Sequence, residues 1–392
     1  MMKSGIITFI LSFLILISAC SQKNQKQQVK YPSGEEFSVG EPETILTYKQ
    51  RQEKGIGWID TGIYAMNDEG QWKWFCGGGY KYGIGPKNNP YDSAITGYID
   101  DIPEPRPESK SWEEIHHSVN NHWIANVYRN PRNGHILGFV HLEYKYEGNR
   151  RQTYFRFGLS ISKDGGETFK WCGYIIKPEL SFETWVNALY QNDMLIQNNV
   201  GLANYIIKDE YFYLYYQDTR DHPDTTINGA AVVRAKVEDV LREAEEFKTA
   251  EWKKYYKGKW NEKGLGGKFT PLNIEPMGFM HGDAAYNSYL DKYVLVTRTG
   301  KHTGPNGRPG KTSSILISFS SDGLHWSEWQ TIHEDNHLHD YPSIISRGAD
   351  NEVTGKSFWV YYEYRGGPIL LPEKGKRSDF GWDRVLVTLD KE

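Results

Sequence analysis

The sequence predicts an all-β protein. Three observations carry that prediction: repeated apolar and aromatic runs of strand length, turn clusters between them, and a composition of 13 Trp, 27 Tyr and 16 Phe with 39 Gly but only 6 Met. Aromatic and β-branched side chains fit a pleated surface, and Gly, Asn, Asp and Pro fit tight turns. The runs include Trp123–Tyr128, Ile136–His141, Tyr154–Ser160, Tyr211–Tyr216, Tyr293–Thr297, Ser314–Phe319 and Phe358–Tyr362. Turn clusters such as Asn130-Pro-Arg-Asn-Gly134 and Lys208-Asp-Glu210 bound them. One stretch has helical spacing, Val237 to Lys248, with Leu241, Ala244 and Phe247 on one side.

The N-terminus has another character. Met1-Met2-Lys3-Ser4 precedes an apolar run from Gly5 to Ala19 and then Cys20. A short positive start, a short apolar stretch and small residues before a cut site form a signal peptide. Ile17-Ser18-Ala19-Cys20 resembles a lipobox, which implies removal of residues 1–19 and acylation of Cys20. Acyl chains stabilise membrane attachment by about 0.8 kcal/mol per buried CH₂, so the expected location is the cell envelope, on the outer membrane or facing the periplasm. Residues 20–45 read as a solvated tether and 46–392 as one catalytic domain, with no later membrane-spanning run. A formal net charge of −4 argues against nucleic acid as a partner. Cys76 and Cys172 leave a disulfide and two thiols equally open.

Two segments look alike. Ser160-Ile-Ser-Lys-Asp164-Gly-Gly-Glu-Thr-Phe169 and Ser318-Phe-Ser-Ser-Asp322-Gly-Leu-His-Trp326 share Ser-x-Ser-x-Asp-Gly followed by an aromatic. They resemble the Asp-box of sialidase-like β-propellers, a structural turn in which Asp caps the backbone. At ~50 residues per blade, the two turns lie roughly three blades apart. The expected fold is a single β-propeller of seven blades, or of five with longer loops. Its ligand site would lie at one mouth of the channel, built from several blades.

The densest polar segment runs from His116 through His122-Trp-Ile to Val140-His141-Leu-Glu-Tyr144, a hairpin with a histidine on each arm. It resembles β-propeller polysaccharide lyases of the ulvan lyase type and their dehydratase and glycosidase relatives. The resemblance implies that His122 and His141 are catalytic and meet at the channel mouth. It further implies a catalytic tyrosine followed some 15 residues later by an arginine; Tyr205 and Arg220 have that spacing, with Tyr213 as a rival. Met280-His281-Gly-Asp283-Ala-Ala-Tyr286 resembles the inner-strand start of carbohydrate-active propellers, making His281 and Tyr286 expected substrate contacts. The run His333-Glu-Asp-Asn-His337-Leu-His339-Asp340 reads as a solvated loop rather than a metal site. No cofactor is called for, and a structural or catalytic divalent metal stays open.

These residue types suit β-elimination on an acidic oligosaccharide. A uronate C5 proton becomes removable once an arginine fork neutralises the carboxylate; a Tyr or His takes it, and a second such group protonates the departing oxygen. The expected activity is a lyase or dehydratase that forms a 4,5-unsaturated uronate from uronate-containing, ulvan-like oligosaccharides, with or without sulfate. The alternatives are a glycoside hydrolase using two of Asp60, Glu143, Asp283 and Glu363, or a non-catalytic glycan-binding surface lipoprotein. Phosphate-loop, Cys-x-x-Cys, nucleophile-elbow and His-Glu-x-x-His signatures are absent from the sequence.

Overall fold

The computed structural model describes residues 33–53, 62–68, 71–76, 81–85, 93–96, 98–100, 118–146, 152–192, 197–221, 227–274, 281–299, 313–335, 338–347, 352–365 and 380–390. The signal peptide, Cys20, Asp60, His116, His117 and His337 lie outside them.

Strands dominate, as the aromatic runs predict, and fall into five antiparallel meanders in four sheets among the described residues, the second and third meanders sharing one sheet through the parallel pairing of β10 with β12. The first holds β3 (Ile63–Asp68), β4 (Gln71–Cys76), β5 (Lys81–Gly85) and β6 (Ser93–Thr96). The second holds β8 (Ser118–Arg129), β9 (Ile136–Tyr146), β10 (Thr153–Ser162) and β11 (Thr168–Ile176), with β7 (Tyr98–Asp100) along its edge. The third holds β12 (Gln197–Lys208), β13 (Tyr211–Asp221), β14 (Ile227–Lys236), β15 (Lys253–Tyr256) and β16 (Lys259–Lys263). The fourth holds β17 (Asp283–Asn287), β18 (Lys292–Arg298), β19 (Ile315–Ser320) and β20 (Gln330–His333), with β22 (Val353–Thr354) beside β17. In the fifth, β21 (Leu338–Ser346), β23 (Ser357–Arg365) and β24 (Phe380–Asp390) are joined by β1 (Glu36–Val39) and β2 (Glu43–Leu46).

Face-to-face packing joins the meanders in sequence. Tyr64, Met66 and Phe75 pack on Ile124, Val140 and Leu142. Phe139, Phe157 and Leu159 pack on Val200, Phe212 and Leu214. Ile206, Tyr213 and Tyr215 meet Ala284, Tyr293 and Trp326, and Ala285, Val294 and Val296 meet Ile344, Phe358 and Val360. Ile345, Tyr361 and Trp382 return to Ile63, Ala65 and Trp74, so the fifth meander packs on the first. Inner strands bury both faces, so alternation is weak there in the sequence: β10 and β19 are buried at every position, whereas the edge strand β16 alternates.

Five meanders lie among the described residues, against the expected seven blades or, with longer loops, five. The repeat is longer because β8 to β14 run 9 to 12 residues each and two helices, α2 (Phe182–Asn192) and α3 (Val237–Glu245), are spliced between strands. Residues 36–46, which the sequence assigns largely to the tether, are β1 and β2 paired to β24. Their brevity hides them, yet Phe37 and Val39 pack on the core of the last two meanders. The predicted helix at Val237 is α3, with Val240, Leu241 and Ala244 buried.

Both Asp turns are structural, as expected. Asp164 accepts from the Thr168 amide at 3.0 Å and the Thr168 hydroxyl at 2.5 Å, and Phe169 is buried beneath it. Asp322 Oδ1 accepts from the amides of Leu324 and His325, both at 2.8 Å, above the fully buried Trp326. Gly165 and Gly323 have φ of 77° and 74°, which only glycine adopts freely. The turns sit in the second and fourth meanders, two meanders apart rather than three.

Candidate functional site

The first strands of the meanders bring polar side chains to one end of the ring. At the start of β17, Asp283 is 1% exposed; its Oδ2 accepts from the Ile344 amide of β21 at 2.8 Å and its Oδ1 from the Ala284 amide at 2.9 Å. This carboxylate ties two meanders together. Burial first, and then the charge of Asp283, raise the Tyr64 phenol well above its usual range, which places Tyr64 beside the same point. The Ser343 hydroxyl accepts from the Ile63 amide at 2.7 Å and closes the fifth meander on the first.

Beside Asp283 lies Asp340, near the start of β21 and 3% exposed. Its Oδ1 is 2.7 Å from His281 Nδ1, 2.7 Å from Arg298 Nε and 3.0 Å from the Tyr341 amide. Asp340 stands directly opposite Glu363 of β23, which is 1% exposed. Cβ atoms of directly opposed residues are about 4.5–5.5 Å apart, so two buried carboxyl groups share one face. A register shift between Asp340 and Ser343 and a positive φ of 53° at Tyr341 mark a bulge directly after Asp340, which itself keeps its register with Glu363. Tyr341 packs against His281 at 4.6 Å between ring centres, the rings tilted by 37°. His281 and Arg298 keep about a fifth of their side chains exposed, so the group has an open side.

The structure does not bring the four-residue His/Arg set together at the mouth. In the β8–β9 ladder His122 faces Leu142 and Trp123 faces His141. Side chains alternate between faces along a strand, so His122 and His141 project from opposite faces of the second meander. The expectation that they meet is therefore corrected, and the cause is the period of 2 in a register the sequence leaves unstated. His141 is 1% exposed, packed among Trp123, Phe155 and Phe157, with Nε2 3.4 Å from Glu143 Oε1. Burial raises the Glu143 carboxyl, but hydrogen bonds from His141 and Lys145 outweigh it and hold the group below its usual range. His122 is half-buried, and burial lowers its imidazole from the usual value.

Tyr205 is likewise interior: its hydroxyl donates to the Val127 carbonyl at 2.9 Å and to Glu352 at 3.1 Å. Arg220 lies 3.4 Å from Glu179 and belongs to a buried ionic group with Asp218 and Lys254. Lys254 is fully enclosed and donates to the carbonyls of Lys177 and Gly267. Tyr286 donates to Asp291 at 2.7 Å beyond the far end of β17, away from His281. Of the expected substrate contacts, only His281 stands in the carboxylate centre. Cys172 is a free thiol, and burial pushes it up to about 12.

Sequence reasoning passed over Arg156. It lies on β10, 2% exposed, in the same cross-strand row as His122 and Leu142. Its Nη1 donates to the Tyr174 hydroxyl at 3.0 Å, while Nε and Nη2 are buried without an acceptor among the described residues. Burial, and then the Arg156 charge, lower the nearby Lys177 ammonium. Asn204 Nδ2 donates to the Gly282 carbonyl at 2.8 Å, level with the start of β17, although β12 began seven residues earlier. β12 thus runs on past the start of β17, with its leading end paired to the start of β10. A further gathering, His333, Asp335 and His339, holds ligand-type atoms within 4.8 Å of one another and could hold a metal ion.

None of the known family models and none of the curated proteins matches this chain. Solved structures similar to it include the catalytic domain of a family 62 α-L-arabinofuranosidase from Coprinopsis cinerea, at 12% identity and TM-score 0.43, covering 91% of this chain and 98% of that one. An N-acetylgalactosamine deacetylase from F. plautii, in complex with blood group B trisaccharide, aligns at 12% identity and TM-score 0.43 over 92% and 95%. A family 117 glycoside hydrolase from the marine bacterium Zobellia galactanivorans aligns at 8% identity and TM-score 0.42 over 91% of each chain. These values are too low to match one site residue with another.

Proposed function

We propose that the chain is a glycoside hydrolase on a five-bladed propeller, each meander forming one blade, and that Asp340 and Glu363 are its working carboxyl groups. The observation that carries this reading is the pair itself: two enclosed carboxyl groups directly across a strand ladder, with His281 and Arg298 on one of them. A fold has no need of such a pair, because buried charge is costly unless matched. Arg298 and His281 favour the anionic form of Asp340, suiting it to act as base or nucleophile, while Glu363 supplies the proton to the leaving oxygen. Glycoside hydrolysis uses two carboxyl groups about 5–10 Å apart, and a directly opposed pair of side chains reaches that range. His281, about a fifth exposed and packed against Tyr341, lies at the open side of the pair, where a sugar would enter.

The test is a panel of neutral and uronate-containing oligosaccharides assayed for new reducing ends and for ultraviolet absorbance of a conjugated C4=C5 product. Reducing ends without absorbance fit hydrolysis; absorbance rising in step with product would end this reading in favour of elimination.

One observation favours elimination as the second reading. Arg156 is a buried guanidinium with no described carboxylate on it, and His122 in the same row is held towards its neutral, proton-accepting form. A uronate carboxylate is the anion such a fork would take. In both readings the substrate is an oligosaccharide, acidic in the second. The sequence further supports attachment to an envelope membrane through acylated Cys20; Cys20→Ser should release the protein into the soluble fraction.

A further inference from the structure

We propose that His333, Asp335 and His339 form a binding site for one divalent transition-metal cation of the zinc type. The three residues lie at the end of β20, in the loop after it and at the start of β21. Asp335 Oδ2 is 3.4 Å from His333 Nε2, and its Oδ1 is 3.2 Å from His339 Nε2. A tetrahedral ion with bonds of 2.0–2.1 Å separates its ligand atoms by about 3.3 Å. A direct charge-assisted hydrogen bond would draw them to about 2.7–2.9 Å. The two contacts use different carboxylate oxygens, and the three ligand atoms lie within 4.8 Å of one another, close enough for one ion to draw them onto itself.

The rings are set for the task. His339 Nδ1 lies 2.7 Å from the Ser313 carbonyl. A carbonyl only accepts, so Nδ1 carries the hydrogen and Nε2 is the nitrogen left to face Asp335 and the ion. Ser313 holds the same residue twice more: its hydroxyl accepts from the His339 amide at 2.7 Å and donates to the His339 carbonyl at 2.6 Å. Tyr362 stacks on His333 at 5.5 Å and 21°, and meets His339 edge-on at 5.2 Å and 84°. His339 is almost fully enclosed, while Asp335 is over a third exposed, which leaves a side from which an ion and a water ligand can enter.

The donor set selects the ion. Two imidazoles and one carboxylate suit zinc and its first-row neighbours, whereas calcium and magnesium favour all-oxygen shells. His339 directly precedes Asp340, so the ion would pin the start of β21 to the end of β20 and fix the backbone that carries Asp340. The site stands on its own geometry and does not depend on which reaction the chain performs.

Equilibrium dialysis tests this without reference to activity. The chain, stripped with EDTA, is dialysed against zinc and then against buffer, and cobalt is used in parallel for its visible spectrum. One retained equivalent is expected, with the intense visible absorption of four-coordinate cobalt. His333→Ala and Asp335→Ala, both at accessible positions, should each weaken zinc binding by at least tenfold; a fall in either supports the site even if His339→Ala does not fold. No retained zinc, or an equivalent held with unchanged affinity in both variants, overturns it.

Discussion

The carboxylate centre at the start of β17 and β21 and the wall formed by the sheet of β8 to β15 are both buried and polar, yet they treat charge in opposite ways. In the centre Asp340 meets the guanidinium of Arg298 and the imidazole of His281 on one oxygen. In the wall Arg156 is enclosed among tyrosines, with Lys177 as a second cation nearby. A matched carboxylate beside a second carboxyl group is equipped for proton transfer. An unmatched buried guanidinium is either a cost to the fold or a seat for an anion. Which of the two regions does the chemistry separates hydrolysis from elimination.

The largest expected effect is at Asp340. Asp340→Asn keeps the shape and removes the charge that Arg298 and His281 are arranged around, and kcat/KM on the hydrolysed oligosaccharide should fall at least ~1000-fold, about 4 kcal/mol. Retention of the fold is checked by circular dichroism. Near-normal turnover would move the reaction to the wall.

Stability reads the wall next. Burial raises the Asp218 carboxyl from 3.8 to about 6, against the opposing pull of Lys254 and Arg220. Its folded value lies above its unfolded one, so its stabilising contribution is whole below pH ~3.8 and is lost as pH climbs through about 6. Urea unfolding from pH 4 to 7 should therefore show a decline on the order of 2 kcal/mol that Asp218→Asn lacks. A slope shared by both proteins would assign the titration elsewhere.

Arg156→Leu sharpens the comparison further. Removing an unmatched buried cation should raise the unfolding free energy by about 1 kcal/mol or more and leave hydrolysis intact. Loss of activity with unchanged stability would instead make Arg156 the receptor for a substrate carboxylate. The smallest effect is expected at Asp322, far from this contest in function: Asp322→Ala removes the acceptor of two turn amides and should cost about 1–2 kcal/mol with no change in KM.

Much of the architecture was legible because its signals are local. The strand runs, the Asp turns with their buried aromatics and α3 each depend on a few adjacent residues. The pairing of the hairpin was legible too, but its register was not, and one step of register separates His122 and His141 onto opposite faces. Asp340 was hidden inside a His- and Asp-rich run that reads as a solvated loop, because nothing adjacent announces the bulge at Tyr341 or the cation from β18. Glu363 was one of four candidate carboxylates that no adjacent motif singles out; only its register partner does. Arg156 had no signal at all, since an arginine in an apolar strand usually finds a carboxylate.

The central claim is that water, activated at the Asp340 and Glu363 pair, cleaves the glycosidic bond. The most direct test is a short digestion in ¹⁸O-labelled water followed by mass spectrometry of the products. Hydrolysis places one ¹⁸O atom at the newly formed anomeric carbon, and Asp340→Asn should abolish that labelled product while Arg156→Leu preserves it. Cleaved products that carry no label and contain a C4=C5 double bond, formed equally well by Asp340→Asn, would contradict the account.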